Sequence, residues 1–123
     1  MPSEQPAQRL TDIIENIDRI RSHVQGLTYE GYLGSTLIQD AVERCFARIS
    51  EAAVKLGDQM DTHHPNIPWA DIRSFGNRLR HAYDDIDDRI LWSAVQHDLQ
   101  PLREACEAEL TVLARGFSFE EPG

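Results

Sequence analysis

Residues 35–60, STLIQDAVERCFARISEAAVKLGDQM, carry the pattern that decides the fold. Apolar residues recur there at helical spacing: Ile38, Val42, Cys45, Ile49, Ala52 and Leu56, widened by Leu37, Ala41, Phe46 and Ala53. The spacing predicts one long helix from about Ser35, which can cap it, to about Met60. A stripe this wide is typical of burial on more than one side, so we expect a central helix of a bundle or one that also serves a subunit interface.

The flanking sequence extends the same helical pattern in both directions. Residues 8–25 predict a first helix, and residues 28–35 predict a connector with a helical turn. Two prolines, Pro65 and Pro68, end the central helix region, and Pro68 suits the first turn of a third helix. Asp87 can cap a fourth, which Pro101 kinks or restarts. The chain is therefore predicted to be all-α, an up-and-down bundle of four to five helices.

Length and composition narrow the possible classes of protein. A chain of 123 residues suits a single domain over 1–123, and we expect 1–7 and 117–123 to be flexible. Its formal charge of -9 disfavours broad, sequence-blind binding of nucleic acid. No apolar run reaches the ~20 residues of a membrane span, and the first residues lack a secretion signal, so a cytoplasmic protein without membrane contact is expected.

The cysteines and histidines outside the third helix show no strong metal pattern. Cys45 and Cys106 lie in helical apolar patterns without CxxC spacing, so we expect reduced core thiols. His63 and His64, with His97, form no recognised ligand motif and are expected in a solvated loop. The sequence predicts neither a metal site nor a cofactor.

One stretch of the acidic chain is locally basic, residues 72–83, IRSFGNRLRHAY. On a helix its polar face presents four side chains: Ser74, Asn77, Arg78 and His81. An imidazole ordinarily exchanges a proton near neutral pH, and a guanidinium holds phosphate through two parallel hydrogen bonds. This combination suits cleavage of RNA by its own 2′-hydroxyl, which needs no obligatory metal. A plain solvated helix face also has this composition.

Several segments together resemble the HepT-like (DUF86) family of the HEPN superfamily. The resemblance covers nearly the whole chain and is carried by the segments Arg9-Leu-Thr-Asp-Ile-Ile14, Gln39-Asp-Ala-Val-Glu-Arg44, Ile49-Ser-Glu-Ala-Ala53, His64-Pro-Asn-Ile-Pro-Trp69, Asn77-Arg-Leu-Arg-His-Ala-Tyr83 and Ile90-Leu-Trp92. It implies an all-helical homodimer whose Arg-x4-His motifs face one cleft. It also implies a metal-independent endoribonuclease, the toxin of a toxin-antitoxin pair, with RNA as substrate.

The resemblance further implies a partner and a modification. The partner would be an MNT-type nucleotidyltransferase antitoxin that neutralises the toxin by AMPylation of the tyrosine in the His-x-Tyr ending. By position that tyrosine is Tyr83 and the histidine is His81, and Asn77 is the polar residue after the motif arginine.

The sequence departs from the family motif at one position. Gly76 stands where the motif has arginine, five residues before His81. Loss of one donor aimed at developing charge typically costs about 100- to 1000-fold in rate, so the alternative is a catalytically degenerate protein that binds RNA or a partner. Arg78 is the expected substitute, and Arg73 and Arg80 are further candidates for binding phosphate.

Overall fold

A computed structural model describes residues 5–81 and 87–120, and the side chains among them as far as residue 115. In those ranges all regular structure is helical: α1 Pro6–Val24, α2 Tyr29–Leu33, α3 Thr36–Leu56, α4 Gln59–His63, α5 Trp69–His81, α6 Asp88–His97 and α7 Leu99–Glu120. The predicted all-α class is confirmed. The two five-residue helices α2 and α4 bring the count above the predicted four to five.

The central helix α3 is the one that the opening stretch predicts. Ser35 caps it, because its Oγ accepts a hydrogen bond from the Ile38 N–H at 3.2 Å. The helix ends at Leu56 and not near Met60, since Gly57 adopts a φ of 80°, a conformation that glycine enters at little cost. Met60 belongs to the separate short helix α4.

Helix α3 lies between α1 and α5, and α1 also packs against α7. The prediction that α3 is buried on more than one side is therefore confirmed. The core is mainly aliphatic; among its members are Leu10, Ile13, Ile17, Ile20, Val42, Ile49, Leu56, Leu91 and Leu99. Cys45 and Cys106 are buried free thiols, as predicted. None of the described helices is long and apolar enough to cross a membrane.

Polar contacts fix the outer helices on this core. Arg103 of α7 donates two hydrogen bonds to the Asp18 carboxylate of α1, at 2.9 and 3.0 Å. Asp87 caps α6 as predicted, accepting from the Arg89 N–H at 2.8 Å. Trp92 of α6 lies against Tyr32, with ring centroids 5.3 Å apart, so α6 is held towards the α2 side.

Candidate functional site

Helix α5 carries the basic stretch and is held against α3 by its apolar side. Trp69 at its start is buried, and the indole N–H donates to the His64 carbonyl at 3.0 Å. Phe75 meets Phe46 of α3 edge to face, with ring centroids 5.7 Å apart. Both side chains pack against the core. They leave the opposite face of α5 to solvent.

Gly76 is part of the α3–α5 contact. It is buried, and its N–H donates to the Ser50 Oγ at 2.9 Å. The same hydroxyl donates to the Arg73 carbonyl at 2.9 Å. A Cβ at position 76 would lie 2.7 Å from the Ser50 Oγ and 3.0 Å from its Cβ, closer than packed atoms approach. The close approach of the two helices therefore requires glycine here.

Arg80 lies over the position where the motif arginine would begin. Its Nη1 is 3.6 Å from the point that a Cβ of residue 76 would occupy. Arg80 is exposed on the last turn of α5, one turn after Gly76. Of the three candidate arginines, it is the one seen beside Gly76.

Arg78 is exposed and lies beside an aromatic ring. Its guanidinium carbon is 5.7 Å from the centroid of Phe75, within the range of a cation–π contact. Within the described residues Arg78 has no ion pair, so its N–H donors face solvent there.

Arg73 is engaged in a structural contact. Its two terminal nitrogens donate to the two carboxylate oxygens of Asp61, at 2.7 and 2.9 Å, which joins α5 to α4. The hydrogen bonds from Arg73 lower the pKa of Asp61 and in turn raise the pKa of Arg73. An anion would have to compete with this fork-to-fork pair.

The remaining predicted site residues of α5 are exposed. His81 is the last residue of the helix, and Asn77 lies one turn before it. Ser74 donates its hydroxyl hydrogen to the Asp71 carbonyl at 3.1 Å. The structure thus gathers Asn77, Arg78 and His81 on one solvent-facing end of α5, whereas Tyr83 falls outside the described residues.

A cavity of about 510 Å³ runs along α5 from Asp71 to Arg78. Its walls come from α3, α5, α6 and the start of α7, and they are mainly apolar. Arg78 lines it, together with Asp71 and Asp98. The candidate site is therefore a cationic helix end that continues into an apolar groove.

Three residues that contact Arg73 or the two histidines before α5 could not be found from the sequence pattern. Ser50 and Asp61 lie 23 and 12 residues from Arg73, which they contact. Glu109 of α7 is nearly buried, and its carboxylate meets His63 Nδ1 at 2.9 Å and His64 Nε2 at 3.2 Å. The two histidines are therefore not in a plain solvated loop. The sequence signal for this contact is Glu109 itself, a glutamate on the otherwise apolar face of α7.

Fold and site together define a small all-helical protein whose cationic helix end carries a histidine. The family model described as ribonuclease HepT-like matches residues 13–109. A protein of Thermococcus cleftensis named "Probable ribonuclease HepT" is 33% identical over 94 residues, which is 76% of this chain and 86% of that protein. The chain belongs to the HepT-like ribonuclease family.

Two relatives of lower sequence identity are also named as candidate RNases. A candidate RNase of Methanocaldococcus jannaschii is 26% identical over 107 residues, 87% of this chain and 88% of that protein. A candidate RNase of Caldanaerobacter subterraneus is 23% identical over 99 residues, 80% of this chain and 88% of that protein. No solved structure matches the chain.

Proposed function

We propose that the protein is a metal-independent endoribonuclease and the toxin of a toxin-antitoxin pair. The observation that carries the proposal is the cluster of exposed Arg78, Arg80 and His81 on the last turn of α5, in a chain of the HepT-like family. Arg80, with Nη1 beside the Gly76 position, is the first candidate to replace the motif arginine, and Arg78 is the second. Arg73 is the weakest candidate because Asp61 occupies its guanidinium.

The reaction that suits these groups is transesterification of RNA. The ribose 2′-oxygen attacks the adjacent phosphorus while the bond from phosphorus to the 5′-oxygen breaks, leaving a 2′,3′-cyclic phosphate and a 5′-hydroxyl. His81 accepts the 2′-hydroxyl proton, and the leaving 5′-oxygen needs a proton from a second donor. In a homodimer with both motifs in one cleft, His81 of the second protomer supplies it. Arg78 and Arg80 stabilise the charge on the phosphate oxygens.

Expression without its partner tests the activity. We expect growth arrest and RNA breakdown from the unaltered protein, and loss of both with His81→Ala. Arg78→Ala and Arg80→Ala should each lower the cleavage rate about 100- to 1000-fold if that arginine stabilises the phosphate charge. Arg44→Ala, an exposed arginine of α3, is the matched control and should cleave normally. If the unaltered protein and His81→Ala are equally harmless and both leave RNA intact, the ribonuclease proposal is wrong.

Mixing variants tests the two-protomer cleft. The unaltered protein should sediment as a homodimer. If each active cleft needs His81 from both chains, mixing unaltered and His81→Ala protomers should lower the cleavage rate by more than the share of unaltered chain, because the mixed dimers lack one proton-transfer group. A monomer that cleaves RNA at full rate would contradict the dimer.

The second candidate function is a protein that binds RNA or a partner without cutting. Burial of Gly76 against Ser50 favours it, because that contact gives position 76 a packing role in place of a catalytic one. A Gly76→Arg change alone would strain this contact, so the informative variant also carries Ser50→Gly. RNA cleavage that appears only in the double variant supports the hypothesis of a protein that binds without cutting. Strong cleavage by the unaltered chain contradicts that hypothesis.

We propose that a nucleotidyltransferase neutralises the toxin by AMPylation of Tyr83. Incubation with an MNT-type partner and ATP should add the mass of AMP to the peptide that contains this tyrosine. A Tyr83→Phe variant should remain unmodified and keep its toxicity in the presence of the partner. Tyr29→Phe is the control for modification at another tyrosine.

A further inference from the structure

The cavity beside α5 has the dimensions and lining of a site for one nucleotide. Its volume of about 510 Å³ lies within the range of pockets that hold small organic ligands. Phe75 of α5 lines one side, and Ile90 and Leu91 of α6 line another. Aromatic side chains are groups on which unstacked RNA bases stack in proteins.

The lining of this groove includes one cation, Arg78, and two carboxylates. Arg78 and Asp71 both line it and are seven residues apart on α5, so they share one face and lie about 10.5 Å apart along the helix axis. Asp98, which follows α6, adds a second carboxylate to the lining. No ion pair neutralises Asp71 or Asp98 within the described part of the chain.

A nucleotide matches this distribution when its phosphate lies at Arg78 and its base lies towards the carboxylates. The separation exceeds the screening length of ~8 Å at physiological salt, so Asp71 repels the phosphate only weakly. Carboxylates accept hydrogen bonds and donate none when ionised, so they favour bases with adjacent N–H donors. Guanine presents two such donors on one edge, whereas uracil presents one N–H between two carbonyls that the carboxylates repel.

We propose that this groove holds a guanosine of the RNA substrate, with Asp71 and Asp98 accepting from the base and Arg78 holding its phosphate. The proposal rests on the ribonuclease function above and names the base that the same site selects. It assigns Asp71 and Asp98 to specificity, with no part in proton transfer.

Binding of mononucleotides tests the groove without requiring cleavage. Guanosine 5′-monophosphate should shift the NMR signals of Phe75, Ile90 and Leu91, and should bind about tenfold or more tightly than uridine 5′-monophosphate. Asp71→Asn and Asp98→Asn, which keep the side-chain size, should each reduce that ratio. Glu15→Gln, a change at an exposed carboxylate of α1, should leave it unchanged. Ala94→Phe, which fills the groove from α6, should abolish the shifts.

Mapping of the cleavage sites distinguishes a groove that selects guanosine within the RNA substrate from a groove that only binds a free nucleotide. The unaltered protein should cut next to guanosine in a random-sequence RNA, and the Asp71→Asn, Asp98→Asn double variant should lose that preference while it still cuts. Groove binding without any RNA cleavage would refute the ribonuclease and leave the nucleotide site standing. Cleavage without base preference, equal binding of the two mononucleotides, or groove signals that respond only to protein concentration would overturn the guanosine assignment.

Discussion

Gly76 serves the packing of α5 on α3, at the position where the family resemblance implies an arginine. The glycine brings α5 close enough to α3 for its N–H to reach the Ser50 hydroxyl at 2.9 Å. Arg80, one turn later, has its Nη1 3.6 Å from the point that a Cβ of residue 76 would occupy. The glycine packed against Ser50 and the neighbouring Arg80 are therefore two parts of one local arrangement.

Gly76→Ala should lower the stability of the fold. The added Cβ would lie 2.7 Å from the Ser50 Oγ, so the helices must separate, at a cost of about 1 to 3 kcal/mol in the free energy of unfolding. Urea denaturation measures the change, and adding Ser50→Gly should recover part of it. Gly31→Ala is the control, because its Cβ would meet other atoms no closer than 3.4 Å. Equal effects of the two glycine substitutions would contradict the packing argument.

The pair of Asp61 and Arg73 should make stability depend on pH in the acid range. Hydrogen bonding to Arg73 lowers the pKa of Asp61, so the folded state binds this proton less readily than the unfolded chain, whose aspartates titrate near pH ~4. The stabilising contribution is present above that pH and is lost as the pH falls through the lower folded value. Asp61→Asn should therefore show a shallower loss of stability on acidification in thermal melts. Glu15→Gln should keep the slope of the unaltered protein.

At the scale of helices, single residues set where a helix begins and ends. Ser35 begins α3 through its side chain, and Gly57 ends that helix with a positive φ. Asp87 begins α6 in the same way as Ser35 begins α3. These signals are local, which explains why caps could be predicted from the sequence. The short helix α4 was missed because the apolar period continues through Met60 although the backbone turns at Gly57.

Ser35→Ala should weaken the start of α3. The Ile38 N–H would lose its acceptor, and caps of this kind are worth about 1 kcal/mol. Chemical denaturation should show that loss, and Ser35→Asp should restore stability because aspartate also caps helices. Thr36→Ala, at the next and exposed position, should have little effect. A Ser35→Ala protein as stable as the original would contradict the role of the cap.

At the scale of the whole molecule, the connection between α3 and α5 is tied to the far end of the chain. His63 and His64 both meet the carboxylate of Glu109, which lies 46 and 45 residues later. Asp61, in the same short segment, holds Arg73 of α5. The segment that precedes the candidate site is thus anchored to both α5 and α7, which supports the position of α5.

Glu109→Ala should loosen this anchor. Hydrogen bonds to charged groups contribute about 1.5 to 3 kcal/mol, and the substitution removes the acceptor of both histidines. We expect a lower midpoint in urea and faster hydrogen exchange in α4. Glu109→Gln, which keeps the size and can still accept hydrogen bonds, should be the milder change. Glu104→Ala, an exposed position on the same helix, is the control.

The sequence by itself determined the all-α class, the central helix, the caps Ser35 and Asp87, the buried thiols and the basic end of α5. These features follow from periodicity and from interactions within a few residues of one another, and the family resemblance reinforced them. The predicted site residues Asn77, Arg78 and His81 are on one exposed helix end, and their catalytic roles stay predictions until the variants are measured.

Only the tertiary structure decided how those residues are used. Ser50 against Gly76, Asp61 on Arg73 and Glu109 with two histidines join residues 12 to 46 positions apart. Spacing along one helix cannot reveal such contacts, because they depend on the distance and rotation between helices. The groove that continues from Arg78 is lined by residues from separate parts of the chain for the same reason.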